Sequence, residues 1–336
     1  MIGVLDHVVL LGVLIFVVSM IMAPFETLGW WAGWLGPHEE PERQPGPDGQ
    51  GRQEGQQGPG RPSPPAAPRA HVVFLSGIGS ISGEEQVPTD EAFLARLRAT
   101  LPRLAIVHDV FPYAPSGLPL FTGQRVFRWL WRTARRWHGG QTFLLPPILH
   151  LRNIFQVLVA ADNRYGPIYG YGLSRVILDR LIANGYAADG GGPIILLGSS
   201  GGGQIAVSAA PYLGAATGAR VSVVAFGGVM ASDRGVTETG RLISLYGSRD
   251  LVYRLARLAF PGRWPVFASS HWNRAVRAQR LVERDIGPLE HSGRGGYLDD
   301  KARWDGISHL DLTVREVGAA IRSVVEETAQ ERTGGA

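Results

Sequence analysis

A serine between glycines is the residue whose setting most directly indicates chemistry. Ser200 stands in GSSGG, residues 198–202, after the apolar run Ile194–Leu197 and before a segment of helical periodicity. This is Gly-x-Ser-x-Gly between a strand and a helix, a sharp turn that projects the serine hydroxyl above a sheet. The outer glycines, Gly198 and Gly202, let strand and helix approach closely. The pattern predicts a nucleophile for acyl transfer; a glycine-rich loop with a capping serine is the alternative.

A serine hydroxyl is a weak nucleophile, so it needs a base and a carboxylate that orients the base. Around this type of turn, the acid and then the base follow the serine in the chain. Asp250 ends the turn after the apolar run Leu242–Tyr246 and is the predicted acid. An ordinary helix N-cap is the other interpretation of Asp250, and Asp233 is the alternative acid. Ser199 is the alternative register for the nucleophile.

Two histidines are candidates for the base. His291 lies in a glycine-rich segment, residues 287–296, that would keep it exposed near a cleft. His309 immediately precedes the closing apolar-periodic segment Leu310–Glu327. We predict that His291 is the base and keep His309 as the alternative base.

Acyl transfer also needs hydrogen-bond donors where negative charge develops on the carbonyl oxygen. The backbone N–H of Gly201 is one predicted donor, because it follows the nucleophile. The N–H of Ile78 is the other, in the loop Ser76–Ser80 after the first strand. With Gly83, this loop partly imitates a dinucleotide fingerprint, but Pro88 delays the helix that the fingerprint requires. A nucleotide-binding reductase is therefore a minor alternative.

From His71 onward, strand and helix patterns alternate. This predicts an α/β fold, a mostly parallel sheet with helices on both faces. The predicted strands are His71–Leu75, Ala105–Phe111, Ile194–Leu197, Val221–Phe226, Leu242–Tyr246 and Arg280–Ile286. The predicted helices are Asp90–Leu101, Asn153–Ala161, Leu173–Asn184, Gly203–Leu213, Val252–Ala259 and Leu310–Glu327. A helical insertion at about 113–190, part of it a candidate lid, is predicted because this stretch is too long for a single crossover helix.

Three zones are predicted: a transmembrane anchor with an aromatic interface segment at 1–35, a disordered Pro/Gly-rich linker at 36–70, and the α/β domain at 71–330. Val8–Phe25 carries no charge and is long enough to span a bilayer, and tryptophans follow it. A signal peptide and a buried core helix are the alternatives. The nearest arginine, Arg43, favours a cytoplasmic domain.

The composition excludes several classes of protein. Of 336 residues, 45% are hydrophobic and 18% are charged, which excludes global disorder, a coiled coil and a multi-pass membrane protein. The absence of cysteine excludes disulfides and thiolate sites, and no metal or cofactor is implied. The net charge of +4 is carried almost wholly by arginine, since Lys301 is the sole lysine. In Gln124–Trp137 the arginines share one helical face, which predicts membrane lipid as a partner rather than nucleic acid. An amphipathic helix docked on its own domain, with solvated arginines, is the alternative.

These motifs resemble those of the α/β-hydrolase superfamily. The matching elements are GSSGG, SGIG at 76–79, YGSRD at 246–250 and EHSGRGGYL at 290–298. More narrowly, LRNIFQVLVAADNRYGPIYGYG and FPGRWP are similar to segments of membrane-anchored bacterial proteins that carry such a domain and have no assigned substrate. The resemblance implies a trimmed eight-stranded-type sheet and a triad of Ser200, Asp250 and His291. The Ser-Gly after the first strand and the long glycine loop after the histidine depart from the usual pattern.

The expectation is a membrane-anchored serine hydrolase, esterase- or lipase-like, in the cell membrane of a bacterium. It would cleave an ester or thioester, with a lipid-like acyl substrate favoured, through an acyl-enzyme. Transfer of the acyl group to an alcohol is a near alternative. A non-catalytic scaffold of the same fold, binding lipid or protein at the membrane, is the alternative from another class.

Overall fold

In the residues that the structure describes, six parallel strands form the sheet of this α/β protein. The computed structural model describes residues 14, 18, 22–32, 69–80, 87–116, 145–187 and 192–334. The strands are β1 (Ala70–Leu75), β2 (Leu104–Val107), β3 (Ile194–Ser199), β4 (Val221–Phe226), β5 (Leu242–Tyr246) and β6 (Leu281–Asp285). Their order is β2-β1-β3-β4-β5-β6, and every neighbouring pair is parallel. A separate antiparallel hairpin consists of β7 (Arg303–Trp304) and β8 (Ile307–Ser308).

Helices cover both faces of the sheet, as the alternating pattern predicts. They are α1 (residues 22–31), α2 (Pro88–Thr100), α3 (Leu145–Ala161), α4 (Gly166–Ala183), α5 (Gly202–Thr217), α6 (Gly235–Glu238), α7 (Leu251–Ala259), α8 (His271–Arg277) and α9 (His309–Gly334). Alternate residues of β1 serve the two cores: Val73 and Leu75 join α3–α5, whereas Val72 and Phe74 join α2 and α9. Because both faces of such a strand are buried, its sequence is a continuous apolar run.

The second strand is shorter than its apolar run suggests. The sequence predicts a strand over 105–111, but β2 ends at Val107, where its pairing with Val73 of β1 also ends. Beyond that point β1 pairs only with β3, so the later residues of the run have no partner strand. The predicted insertion contains α3 and α4, which are longer than the predicted helices. Gln124–Trp137 and most of the linker lie outside the described residues.

Helix α1 packs against the domain. Glu26 forms an ion pair with Arg152 at 2.6 Å and accepts a hydrogen bond from Gln156 at 2.7 Å. Ala23 and Thr27 on the same helix are buried. In the part of the chain that the structure describes, no helix has the length and apolarity to cross a membrane. The predicted span at residues 8–25 lies mostly outside that part.

Candidate active site

The site lies where the strand order reverses. From β1 the chain passes to β2 at one edge, whereas from β3 it continues to β4 in the other direction. Loops that leave adjacent strands in opposite directions open a crevice at their carboxyl ends. The loop Ser76–Ser80 follows β1, and Ser200 follows β3. A Cβ placed on Gly77 would lie 3.6 Å from Cβ of Ser200, so the two loops are in contact.

Ser200 occupies a strained turn. Its φ is +50°, a left-handed conformation that is uncommon for residues other than glycine and costs about 1–3 kcal/mol. The Ser200 N–H donates to the Phe226 carbonyl at 3.1 Å, which secures the turn to β4. A Cβ on Gly198 would stand 2.6 Å from the backbone of Gly203, and one on Gly202 would stand 2.2 Å from the carbonyl oxygen of Leu75. Both glycines are therefore required by close backbone approach, as predicted for this motif.

The structure brings the predicted nucleophile, base and acid together. Oγ of Ser200 lies 2.8 Å from Nε2 of His291. Nδ1 of His291 lies 2.9 Å from Oδ2 and 3.1 Å from Oδ1 of Asp250. The chain of contacts thus runs from hydroxyl to imidazole to carboxylate, the arrangement in which an imidazole can remove the hydroxyl proton.

Asp250 is fully buried and hydrogen-bonded on both oxygens. Oδ1 accepts from the Tyr253 N–H at 2.8 Å, so Asp250 is also the N-cap of α7, and Oδ2 accepts from the Tyr297 hydroxyl at 2.7 Å. Burial by itself raises the pKa of this carboxyl, but the hydrogen bonds and the charge of His291 outweigh it and lower the pKa below its ordinary value. The carboxylate is therefore held ionised beside the imidazole.

Two residues that no sequence motif indicates hold the loop Ser76–Ser80 in place. Nδ2 of Asn153, on α3, donates to the carbonyls of Ile78 at 2.8 Å and Ser80 at 3.1 Å. The buried Tyr113 hydroxyl donates to the Ser76 carbonyl at 2.8 Å. Both residues lie far along the chain from the loop, and no local motif marks them. Their hydrogen bonds fix the positions of three carbonyls of the loop, those of Ser76, Ile78 and Ser80.

The two residues that carry the predicted oxyanion donors are close together. A Cβ on Gly201 would lie 3.1 Å from Cγ2 of Ile78. Within the described chain, neither the Ile78 N–H nor the Gly201 N–H has a hydrogen-bond acceptor. Gly201 is the N-cap of α5, where the helix dipole favours negative charge. The two amides are thus available to a developing oxyanion.

A comparison of the sequence with protein-family models and with curated proteins finds no match.

The alternative base and acid lie elsewhere. Nδ1 of the buried His309 hydrogen-bonds to the Gly295 carbonyl at 2.9 Å. Asp233 is buried against α5, where Gln204 donates to it, and burial raises its pKa to about 6. Neither contacts Ser200 or His291, whereas His291 and Asp250 belong to the chain of contacts that begins at Ser200.

A basic cleft adjoins the loops that carry the acid and the base. Its volume is about 620 Å³. Arg249, Arg294 and Arg303 line it with a single carboxylate, Glu290, and with Trp304 among the other walls. The surplus of arginine makes this cleft favourable for an anionic group.

Proposed function

We propose that this protein is a serine hydrolase of the α/β-hydrolase type that forms an acyl-enzyme on Ser200. The observation that carries the proposal is the continuous hydrogen-bonded chain from Oγ of Ser200 through His291 to the buried Asp250. It begins at a residue of positive φ between a strand and a helix, which is where this fold type holds its nucleophile.

In the proposed reaction, Oγ of Ser200 attacks the acyl carbonyl carbon while Nε2 of His291 takes the hydroxyl proton. Asp250 holds the imidazole through Nδ1 and stabilises the imidazolium that forms. The carbonyl oxygen becomes an oxyanion that accepts from the N–H groups of Ile78 and Gly201; losing one such donor costs about 3 kcal/mol of transition-state stabilisation. The tetrahedral intermediate collapses, and His291 donates its proton to the leaving alcohol or thiol.

Water then completes the reaction. His291 takes a proton from the water as its oxygen attacks the acyl carbon, and the ester bond to Ser200 breaks with return of the proton to Oγ. An alcohol in place of water would accept the acyl group by the same steps, which is the acyltransferase variant of this function. No step requires a cofactor.

Apolar side chains adjoin the turn that carries Ser200. Next to Gly201 stand Cγ2 of Val157 and Cγ2 of Ile78, 2.7 Å and 3.1 Å from where a Cβ on that glycine would be, together with the Tyr113 hydroxyl. We therefore favour a lipid-like acyl ester or thioester as the substrate. The uncharged run at residues 8–25 supports a membrane anchor for the same protein.

Labelling of the full chain with a fluorophosphonate probe tests the proposal. We expect the wild-type protein to label, Ser200→Ala to lose labelling completely and His291→Ala to lose most of it. Ser199→Ala and His309→Ala are the matched controls and should label like the wild type. Labelling that survives Ser200→Ala would place the nucleophile elsewhere. A folded wild-type protein that never labels would overturn the proposal in favour of a non-catalytic scaffold.

A further inference from the structure

Helix α7 presents its apolar side to solvent. Leu251, Leu255 and Leu258 lie on one side of the helix and are 65%, 62% and 67% exposed. Tyr253 and Ala256, which occupy the opposite side, are the residues buried against the domain. The usual orientation of a surface helix, with its apolar stripe facing the core, is therefore reversed.

The segment after α7 extends this apolar surface. Trp264, Val266 and Phe267 are exposed, Val266 by 77%. Nδ2 of Asn273 donates to the carbonyls of Trp264 at 2.7 Å and Phe267 at 3.0 Å, and the Trp264 indole N–H donates to the carbonyl of Arg257 at 3.1 Å. These bonds hold the segment in place beside α7. We call the combined surface the leucine face; it consists of Leu251, Leu255, Leu258, Trp264, Val266 and Phe267.

The chain segment that carries the leucine face is basic. Residues 251–282 contain six arginines and no aspartate or glutamate. Arg263 is buried against Glu283, but the other five are exposed. They are Arg254, Arg257, Arg274, Arg277 and Arg280.

We propose that the leucine face binds the surface of an anionic lipid bilayer. Its apolar side chains would enter the boundary between headgroups and acyl chains, and the arginines would pair with lipid phosphates. A second copy of the chain fits less well, because a symmetric interface through this face would bring two sets of arginines together. Charge complementarity thus favours lipid over self-association.

The leucine face is distinct from the apolar run at residues 8–25, and its proposed binding of lipid does not depend on the proposed hydrolase activity. It does have a consequence for that activity. Asp250 caps α7, so the leucine face begins at the residue next to the proposed acid. Contact of the face with a bilayer would hold the edge of the active site at the lipid surface.

The absence of cysteine permits a direct test. Leu255→Cys in the full chain is labelled with an environment-sensitive nitrobenzoxadiazole dye and reconstituted into liposomes of phosphatidylcholine alone or with phosphatidylglycerol. We expect a blue shift and brightening of the emission that require phosphatidylglycerol and weaken at high salt. Ile182→Cys, exposed on α4 outside the leucine face, is the matched control and should report water in both liposomes. Arg254→Gln with Arg257→Gln should reduce the shift of the label at position 255.

Three results would overturn the proposal. In the first, the label at position 255 remains in a water-like environment in both liposomes. In the second, the emission of the label at position 182 shifts by the same amount as that of the label at position 255. In the third case the shift appears without lipid and grows with protein concentration, which would assign the face to a second copy. Fluorophosphonate labelling of the same samples reports separately on the proposed hydrolase site, so the two proposals fail independently.

Discussion

Tyr297 donates its hydroxyl hydrogen to Oδ2 of Asp250 at 2.7 Å, the same oxygen that lies 2.9 Å from Nδ1 of His291. The hydroxyl in turn accepts from the Gly247 N–H at 2.8 Å, which fixes its direction. The orientation of the carboxylate is therefore set by a tyrosine as well as by the helix cap at the Tyr253 N–H.

Tyr297→Phe should lower kcat/KM for a p-nitrophenyl ester by about tenfold to a hundredfold, since a hydrogen bond to a charged group contributes about 1.5–3 kcal/mol. Losing a donor also leaves the Asp250 carboxylate less well stabilised, which raises its pKa. Tyr186→Phe is the control, because the Tyr186 hydroxyl is buried without a partner in the described structure and its ring packs on His71 at the start of β1. An unchanged kcat/KM for Tyr297→Phe would refute the role assigned to this tyrosine.

Asn153→Ala should lower kcat about tenfold or more with little change in KM. The side-chain amide holds the carbonyls of Ile78 and Ser80, and the Ile78 N–H is the proposed oxyanion donor, whose loss affects the transition state most. Steady-state kinetics with a p-nitrophenyl ester separates the two parameters. Asn184→Ala removes a chemically similar amide-to-carbonyl bond at the end of α4 and should leave kcat unchanged. Equal effects of the two substitutions would show that Asn153 acts on stability alone.

Gly202→Ala and Gly214→Ala should change the free energy of unfolding in opposite directions, although both glycines lie on α5. A Cβ at 202 would stand 2.2 Å from the Leu75 carbonyl oxygen, whereas one at 214 would make only ordinary contacts of 3.5 Å or more. We expect Gly202→Ala to lower the free energy of unfolding by about 3 kcal/mol or more. Gly214→Ala should raise it by about 0.5–1 kcal/mol, because alanine has the higher helix propensity. Urea unfolding measures both, and a tolerated Gly202→Ala would contradict the close approach.

Asp233→Asn should change how stability depends on pH. Burial raises the pKa of Asp233 from 3.8 to about 6, so ionising this carboxyl costs folding free energy. Its stabilising contribution is fully present below pH 3.8 and is lost as pH rises through about 6. The free energy of unfolding of the variant, relative to that of the wild type, should therefore increase between pH 4 and pH 7 by at most about 3 kcal/mol. Urea unfolding measures both proteins at each pH. If their free energies of unfolding depended on pH in the same way across this range, the raised pKa would be contradicted.

Much of the fold follows from local pattern. Apolar runs such as Ile194–Leu197 and Val221–Phe226 predict buried parallel strands, and the structure confirms an α/β fold with a parallel sheet. An apolar run indicates that a strand exists more reliably than it indicates where the strand ends. That depends on a partner strand, as the early end of β2 at Val107 shows.

Several features of the site depend on tertiary contacts that leave no local signal. Asn153 and Tyr297 reach the site from α3 and from the loop after His291, and nothing in their neighbouring residues predicts the carbonyl or the carboxylate that they contact. The solvent-facing leucines of α7 are a similar case. Helical spacing predicts an apolar side for that helix, but only the packing of Tyr253 and Ala256 decides which side faces outward.

By itself, the sequence determined the α/β fold class and the candidates Ser200, Asp250 and His291, because strand periodicity and a glycine-bounded turn are local properties of the chain. Only the tertiary structure decided between His291 and His309 as the partner of Ser200. Both histidines come after β6 in the chain, and the choice depends on how the glycine-rich loop folds back, directing one imidazole to Ser200 and the other to the Gly295 carbonyl. Contacts between segments far apart in the chain are set by packing of the whole domain, which a local pattern does not encode.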